Sequence, residues 1–209
     1  MDDVAHILKD TGAVLEGHFI GTSGKHVSVY INKNKILIHT DITSALCKGI
    51  AEGAREWEPD VVAAPATGGI ALSQWTAHHL SAFLGHEVLS VYTEEVNGKH
   101  SLSKRGFDDV VRGKRVLVVE DIVNTGKSVG EVVEAVKAAG GIPVGTYVLV
   151  NRNPSDEMIA DLLGVPFRSL HLMPLEAYAE DEVPDWLKKI PVNTTVGHGA
   201  KYLKEHPQQ

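Results

Sequence analysis

Between Val116 and Val129 the chain reads VLVVEDIVNTGKSV, and its chemistry-bearing side chains are mostly carboxylates and hydroxyls. Four apolar residues, Val116, Leu117, Val118 and Val119, run into the acidic pair Glu120 and Asp121. Ile122 and Val123 separate that pair from Asn124-Thr125-Gly126-Lys127-Ser128, and a helical pattern follows. The segment predicts a buried strand that ends on two carboxylates and turns through a small hydroxyl-rich loop into a helix N-terminus. Paired carboxylates can accept hydrogen bonds from a vicinal diol. The loop's N–H groups, the Thr125 and Ser128 hydroxyls and the positive end of the helix dipole can surround a phosphate. Together these parts can hold a ribose 5-phosphate by both ends. Used without chemistry, the same residues make a strand–turn–helix joint whose Thr and Ser cap a helix.

Holding those groups in place takes a sheet. Val61-Val62-Ala63-Ala64 predicts a buried strand leading into Pro65-Ala66-Thr67-Gly68-Gly69-Ile70, and 88–92 predicts another. Further strands are expected over 27–31, 114–119, 143–150 and 165–172. Helices are expected over 3–11, 40–57 (capped by Thr40 or Asp41), 71–84, 129–139 and 155–163. Alternating strands and helices imply right-handed crossovers and a parallel sheet with helices on both faces, with ligands beyond the carboxyl ends of the strands. The loops after Ala64, Tyr92 and Val119 all leave such ends and point to one site. In the loop after Ala64, the paired glycines Gly68 and Gly69 let the backbone approach an oxyanion closely, or shape a tight turn. Residues 17–33 read as a glycine-punctuated extended arm, and 93–111 as a polar, charged segment with little apolar period. From about Leu175 the chain reads as a polar, Pro-containing extension of a single 1–209 domain.

A length of 209 residues suits one α/β domain, with 43% hydrophobic and 22% charged residues typical of a water-soluble chain. A net charge of −7 argues against nucleic acid as the primary partner, so a phosphate-rich ligand needs a local cluster of positive groups. The single Cys47 permits no intrachain disulfide and reads as a buried helical residue in a reducing compartment. Polar Asp2-Asp3 after Met1, and the lack of a long apolar run, predict neither a leader nor a membrane span, hence a cytoplasmic protein. The histidines show no metal-ligand spacing. Gly197-His198-Gly199 reads as an exposed turn, and Trp57, Trp75 and Trp186 read as packing residues.

The stretch from Glu120 to Ser128 resembles the PRPP-binding motif of the type I phosphoribosyltransferases: an apolar strand, an acidic pair, two apolar residues and a Thr-Gly loop. The resemblance implies that family's α/β fold, a parallel sheet flanked by helices with an N-terminal arm or hood over residues 1–40. It implies PRPP binding by Glu120, Asp121, Ile122, Val123, Asn124, Thr125, Gly126, Lys127 and Ser128, and pyrophosphate binding by Ala66, Thr67, Gly68 and Gly69. The arm Gly17-His18-Phe19-Ile20-Gly21-Thr22-Ser23-Gly24-Lys25-His26, with Tyr30-Ile31-Asn32-Lys33, is similar to that of the orotate phosphoribosyltransferases. That likeness assigns Lys25, Tyr30, Ile31, Asn124 and Arg152 to the orotate, Arg152 facing its carboxylate. The family's mobile basic loop is shifted here: Thr93 and Glu94 stand where an arginine and a lysine are usual, and Asn124 stands where Ser or Thr is usual. Lys99, His100, Lys104 and Arg105 are then expected to deliver the positive charge, with Asp121 as the further catalytic group. Mg²⁺ is expected to arrive with PRPP or pyrophosphate, without direct protein ligands. A homodimer is expected, with PRPP and orotate as substrates and neither nucleic acid nor membrane as partner. Transfer to another nucleobase, or a PRPP-sensing regulator without catalysis, are the alternative readings.

Overall fold

The computed structural model describes residues 4–21 and 23–206. The expected helix start at Asp3 and Thr22 of the arm lie outside the described residues. In chain order the first elements are α1 (Val4–Asp10), β1 (Val14–Ile20), β2 (His26–Ile31), α2 (Asn34–Leu37), α3 (Thr40–Ala54) and β3 (Val61–Pro65). Next come α4 (Gly68–Leu84), β4 (Leu89–Val96), β5 (Lys99–Ser101), α5 (Phe107–Val111), β6 (Arg115–Val123) and α6 (Lys127–Ala138). The chain continues through β7 (Ile142–Asn151), α7 (Asp156–Leu163), β8 (Phe167–Leu172), β9 (Ala177–Tyr178), α8 (Asp185–Lys188) and α9 (Gly199–Glu205). The chain divides into two compact units, one built on Leu37–Pro174 and the other on Ala5–Ile36 with the segment from Leu175 onward.

The first unit is a sheet in the order β5-β4-β3-β6-β7-β8. It is parallel throughout except for the antiparallel β4–β5 edge. Its central strands are apolar runs because both faces are covered. The crossover from β3 to β4 and that from β6 to β7 run in opposite directions across the sheet, so right-handed connections place α4 on one face and α6 on the other. On the α6 face, Val61, Ala63, Val116, Val118 and Val148 pack with Val129, Val132, Val133 and Val136. Between β3 and β6 the strand order reverses, the position where sheets of this kind bind ligands. Cys47 is buried in α3, as expected, and burial pushes its thiol up to about 12.

Several boundaries differ from the sequence expectation. β6 does not end at Val119: Glu120 pairs with Val148 and Ile122 with Val150, because β7 is long enough to carry the ladder past the acids. α4 starts at Gly68, so both glycines belong to its first turn. α3 has His39 rather than Thr40 or Asp41 at its cap, without a side-chain bond. The segment 93–111 is ordered. β4 continues to Val96, turns through Asn97 (φ 52°) and Gly98 (φ 77°), and returns as β5. Asn-Gly is a hairpin dipeptide because both positions take positive φ. Leu102 and Val111 then anchor the connection in the core. Trp57 packs against Tyr147, whereas Trp186 is exposed.

In the second unit the arm is a β-hairpin in a three-stranded antiparallel sheet, β1-β2-β9. The C-terminal segment is an integral layer of this unit: the Asn193 N–H donates to the His18 carbonyl and the His198 N–H to the Ile20 carbonyl. Gly197 (φ 70°) is therefore no free turn, since a Cβ there would lie 2.8 Å from the Ile20 carbonyl oxygen. His18 Nδ1 donates to the Ile190 carbonyl at 3.0 Å. Its Nε2 therefore accepts from His26 Nδ1 at 2.7 Å, and His26 Nε2 is buried with no hydrogen-bond partner among the described residues. Burial, and then the neighbouring His18, lower the His26 pKa below 6.5. The unfolded chain therefore takes up this proton near pH 6.5 while the folded chain still refuses it. The stabilisation from neutral His26 is present above that pH and is lost as pH falls toward the folded pKa. The thermal midpoint should fall between about pH 7.5 and about pH 5.5, and His26→Phe should shrink the difference.

Candidate active site

The residues singled out on β6 sit inside the strand and at its exit. Both acids are buried, Glu120 at 7% and Asp121 at 4% exposure. Glu120 shares the α6 face with Val116 and Val118 by strand alternation, and its Oε2 accepts from Ser128 Oγ at 3.1 Å. Its Oε1 accepts from the Asp121 N–H at 3.0 Å. The hydroxyl read as a phosphate ligand thus also braces an acid. Asn124 and Thr125 are exposed, and Gly126 (φ 75°) caps α6 without a side-chain bond. The Lys127 N–H donates to Thr125 Oγ1 at 3.4 Å, and the other amides of the first turn of α6 are left for a ligand or water.

One strand over, β3 ends at Pro65, and the Ala66–Thr67 peptide is cis. The Ala66 N–H donates to the Thr93 carbonyl at 2.9 Å, tying this loop to β4. α4 also starts without a side-chain cap. Gly69 is required by packing, since a Cβ there would lie 2.7 Å from that of Ala64. The reversal point of the sheet thus carries two uncapped helix N-termini, those of α4 and α6, on neighbouring strands.

The hairpin after β4 brings the expected basic residues to the same end of the sheet and gives them partners. Glu94 binds Arg105 through two bonds, of 2.8 and 3.2 Å, and Lys104 at 3.1 Å. Hydrogen bonds from Arg105, then Lys104, hold its carboxyl down at about 2. His100 Nδ1 meets Thr93 Oγ1 at 2.8 Å, and its Nε2 lies 3.8 Å from Glu131 Oε2 on α6. Lys99 is exposed. The pairing of Glu94 with Lys104 and Arg105 is a feature that the sequence reading missed. The Asn97-Gly98 turn was the available signal, because it folds β5 and the basic stretch after it back onto the end of β4.

Arg152 follows β7, and its N–H donates to the Val123 carbonyl at 2.9 Å, at the start of the loop after β6. Burial lowers its pKa, but a guanidinium stays charged. The structure thus gathers the loops after β3 and β6, the β4–β5 hairpin and Arg152 at the carboxyl ends of neighbouring strands. Lys25, Tyr30 and Ile31 belong to the second unit. There Lys25 is exposed, the Tyr30 ring packs on Phe19 at 5.5 Å, and Ile31 is buried opposite Val14. No group of three His, Cys, Asp or Glu side chains able to hold a metal occurs among the described residues.

The turn into α6 can be tested through its glycine. Gly126 has positive φ, and a Cβ there would lie 2.9 Å from Leu162 Cδ2, whereas nothing lies within 4 Å of one at Gly106 (φ 71°). Gly106→Ala should cost about 1 kcal/mol of unfolding free energy from φ alone. Gly126→Ala should cost little more, because the overlapped atom ends an exposed Leu162 side chain that can swing aside. Urea denaturation of the two variants measures the difference.

Residues 35–162 match the family model described as the phosphoribosyl transferase domain. The chain is 40% identical over 192 residues to an orotate phosphoribosyltransferase of Bartonella tribocorum, covering 90% of this chain and 93% of that one. It is 39% identical over 183 residues to the orotate phosphoribosyltransferase of Desulforamulus reducens, covering 88% and 90%. Among solved structures, orotate phosphoribosyltransferase from Aeropyrum pernix superposes with a TM-score of 0.62 at 27% identity, covering 81% of this chain and 93% of that one. The Mycobacterium tuberculosis enzyme with inorganic phosphate shares the fold at a TM-score of 0.64 and 24% identity, covering 81% and 94%. With the acid pair of β6, the uncapped start of α6 and this kinship along nine-tenths of its length, the chain belongs to the orotate phosphoribosyltransferase family, on the type I phosphoribosyltransferase fold.

Proposed function

We propose that this chain transfers the 5-phosphoribosyl group of PRPP to orotate, giving orotidine 5′-monophosphate and pyrophosphate. The observation that carries the reading is the buried pair Glu120 and Asp121 beside the uncapped N-terminus of α6. In the reaction the bond from the anomeric carbon to the pyrophosphate oxygen breaks through an oxocarbenium-like state, and a bond to a ring nitrogen of orotate forms as that nitrogen's proton passes to pyrophosphate or solvent. No covalent nucleophile is needed, so the protein supplies position and charge stabilisation. Asp121 and Glu120 hold the ribose hydroxyls. Residues 124–128 hold the 5′-phosphate, and Ala66 to Gly69 hold the pyrophosphate at the start of α4. Arg152 meets the orotate carboxylate with its planar fork.

Lys99, His100, Lys104 and Arg105 neutralise the leaving group. For the last two this means exchanging Glu94 for pyrophosphate. Mg²⁺ enters with PRPP. The carboxylate oxygens of Glu120 and Asp121 suit such a hard ion and would hold it through its waters. When bound it offsets negative charge on the diphosphate. The working form is a homodimer in the cytoplasm. No described helix is long and apolar enough to cross a membrane.

Loss of orotate absorbance on mixing the protein with PRPP, orotate and Mg²⁺ tests the reaction. PRPP binding without turnover would move the reading to another base or to a sensor. Asp121→Asn should weaken PRPP binding by at least about tenfold with the fold intact, measured by calorimetry. Arg152→Ala should raise the orotate KM by about 10- to 100-fold and leave the PRPP KM nearly unchanged.

A further inference from the structure

Asn151, the last residue of β7, is fully buried, and both ends of its amide are engaged. Its Nδ2 donates to the Ser155 carbonyl at 3.1 Å and to Asp156 Oδ1 at 2.8 Å. Its Oδ1 accepts from the Asn153 backbone N–H and from Asn153 Nδ2, both at 2.9 Å. A carbonyl can only accept and a backbone N–H can only donate, so these partners fix which way the amide points. Asp156 is anchored in turn by Ser169, whose N–H and Oγ each donate at 2.8 Å. The Asn151 carbonyl accepts from the Met173 N–H at 2.8 Å, and the next residue, Arg152, donates its N–H to Val123.

A buried amide costs stability wherever one of its bonds is left unmade, and an aliphatic residue would fill the same space without that cost. What the amide adds is a fixed path for the chain on both sides of Arg152. An arginine has many rotamers, so its guanidinium can be aimed only from a held Cα and stem. We infer that Asn151 is a positioning residue: with Asn153 and Asp156 it forms a cage that aims Arg152, and so sets affinity for a base carrying a carboxylate. The inference rests on the reading that Arg152 meets the orotate carboxylate.

Steady-state kinetics on Asn151→Ala, Arg152→Ala and the double variant, with calorimetric PRPP binding in the absence of base, test it. Asn151→Ala should raise the orotate KM about tenfold and change PRPP affinity by less than about twofold. In the Arg152→Ala background the same substitution should add nothing, because its effect runs through that guanidinium. A parallel loss of PRPP affinity, or additive effects in the double variant, would overturn the inference and leave a structural role. Arg152→Ala alone leaving the orotate KM unchanged would instead defeat the underlying reading of the base site. If Asn151→Ala does not fold, Asn153→Ala carries the test. It removes one donor, keeps the backbone bond and should raise the orotate KM less; no rise overturns the inference.

Discussion

The parallel ladder between β6 and β7 is the interaction on which the arrangement at this end of the sheet depends. It runs past the apolar core to Val123 and Asn151, so the acid pair, the start of the phosphate loop and the residue before Arg152 share one hydrogen-bonded frame. Groups carried on the ends of two strands are thereby fixed relative to one another by backbone pairing. Flexible side chains have only short distances left to span. The single bond from Arg152 to Val123 closes this frame at the edge where the two loops diverge.

Electrostatics at the site run against the charge of the whole chain. A net charge of −7 disfavours polyanions at long range, and screening confines attraction between exposed charges to about 8–10 Å. The attraction therefore comes from local features: two helix starts, Arg152 and the basic stretch of the hairpin. Glu94 holds two of these cations together. That avoids leaving like charges side by side.

Much of this was legible in the sequence for identifiable reasons. Apolar runs such as Val61–Ala64 and Val116–Val119 mark buried strands, and the alternation with helices set the sheet's connectivity. The acids Glu120 and Asp121 looked like a strand end because buried carboxylates are rare inside a strand. Only the length of β7 shows that the ladder continues. The 93–111 segment hid its hairpin because its anchors, Leu102 and Val111, are sparse and follow no helical or strand period. Asn151 could not be read as more than a strand end, since its cage depends on Ser169, eighteen positions away in sequence and adjacent only through the β7–β8 ladder.

The second unit joins opposite ends of the chain, because β2 receives β9 as its edge partner at His26–Tyr178 and Val27–Ala177. Until the segment around Ala177 has been synthesised, β2 has an open edge. Two-stranded hairpins are marginal in water, and long-range pairing bears a loop-closure cost before any contact repays it. The sheet-centred unit, whose strands follow one another in sequence, can therefore consolidate during translation. The arm completes its own sheet only once this distant segment has joined it, exposed meanwhile to edge-to-edge association.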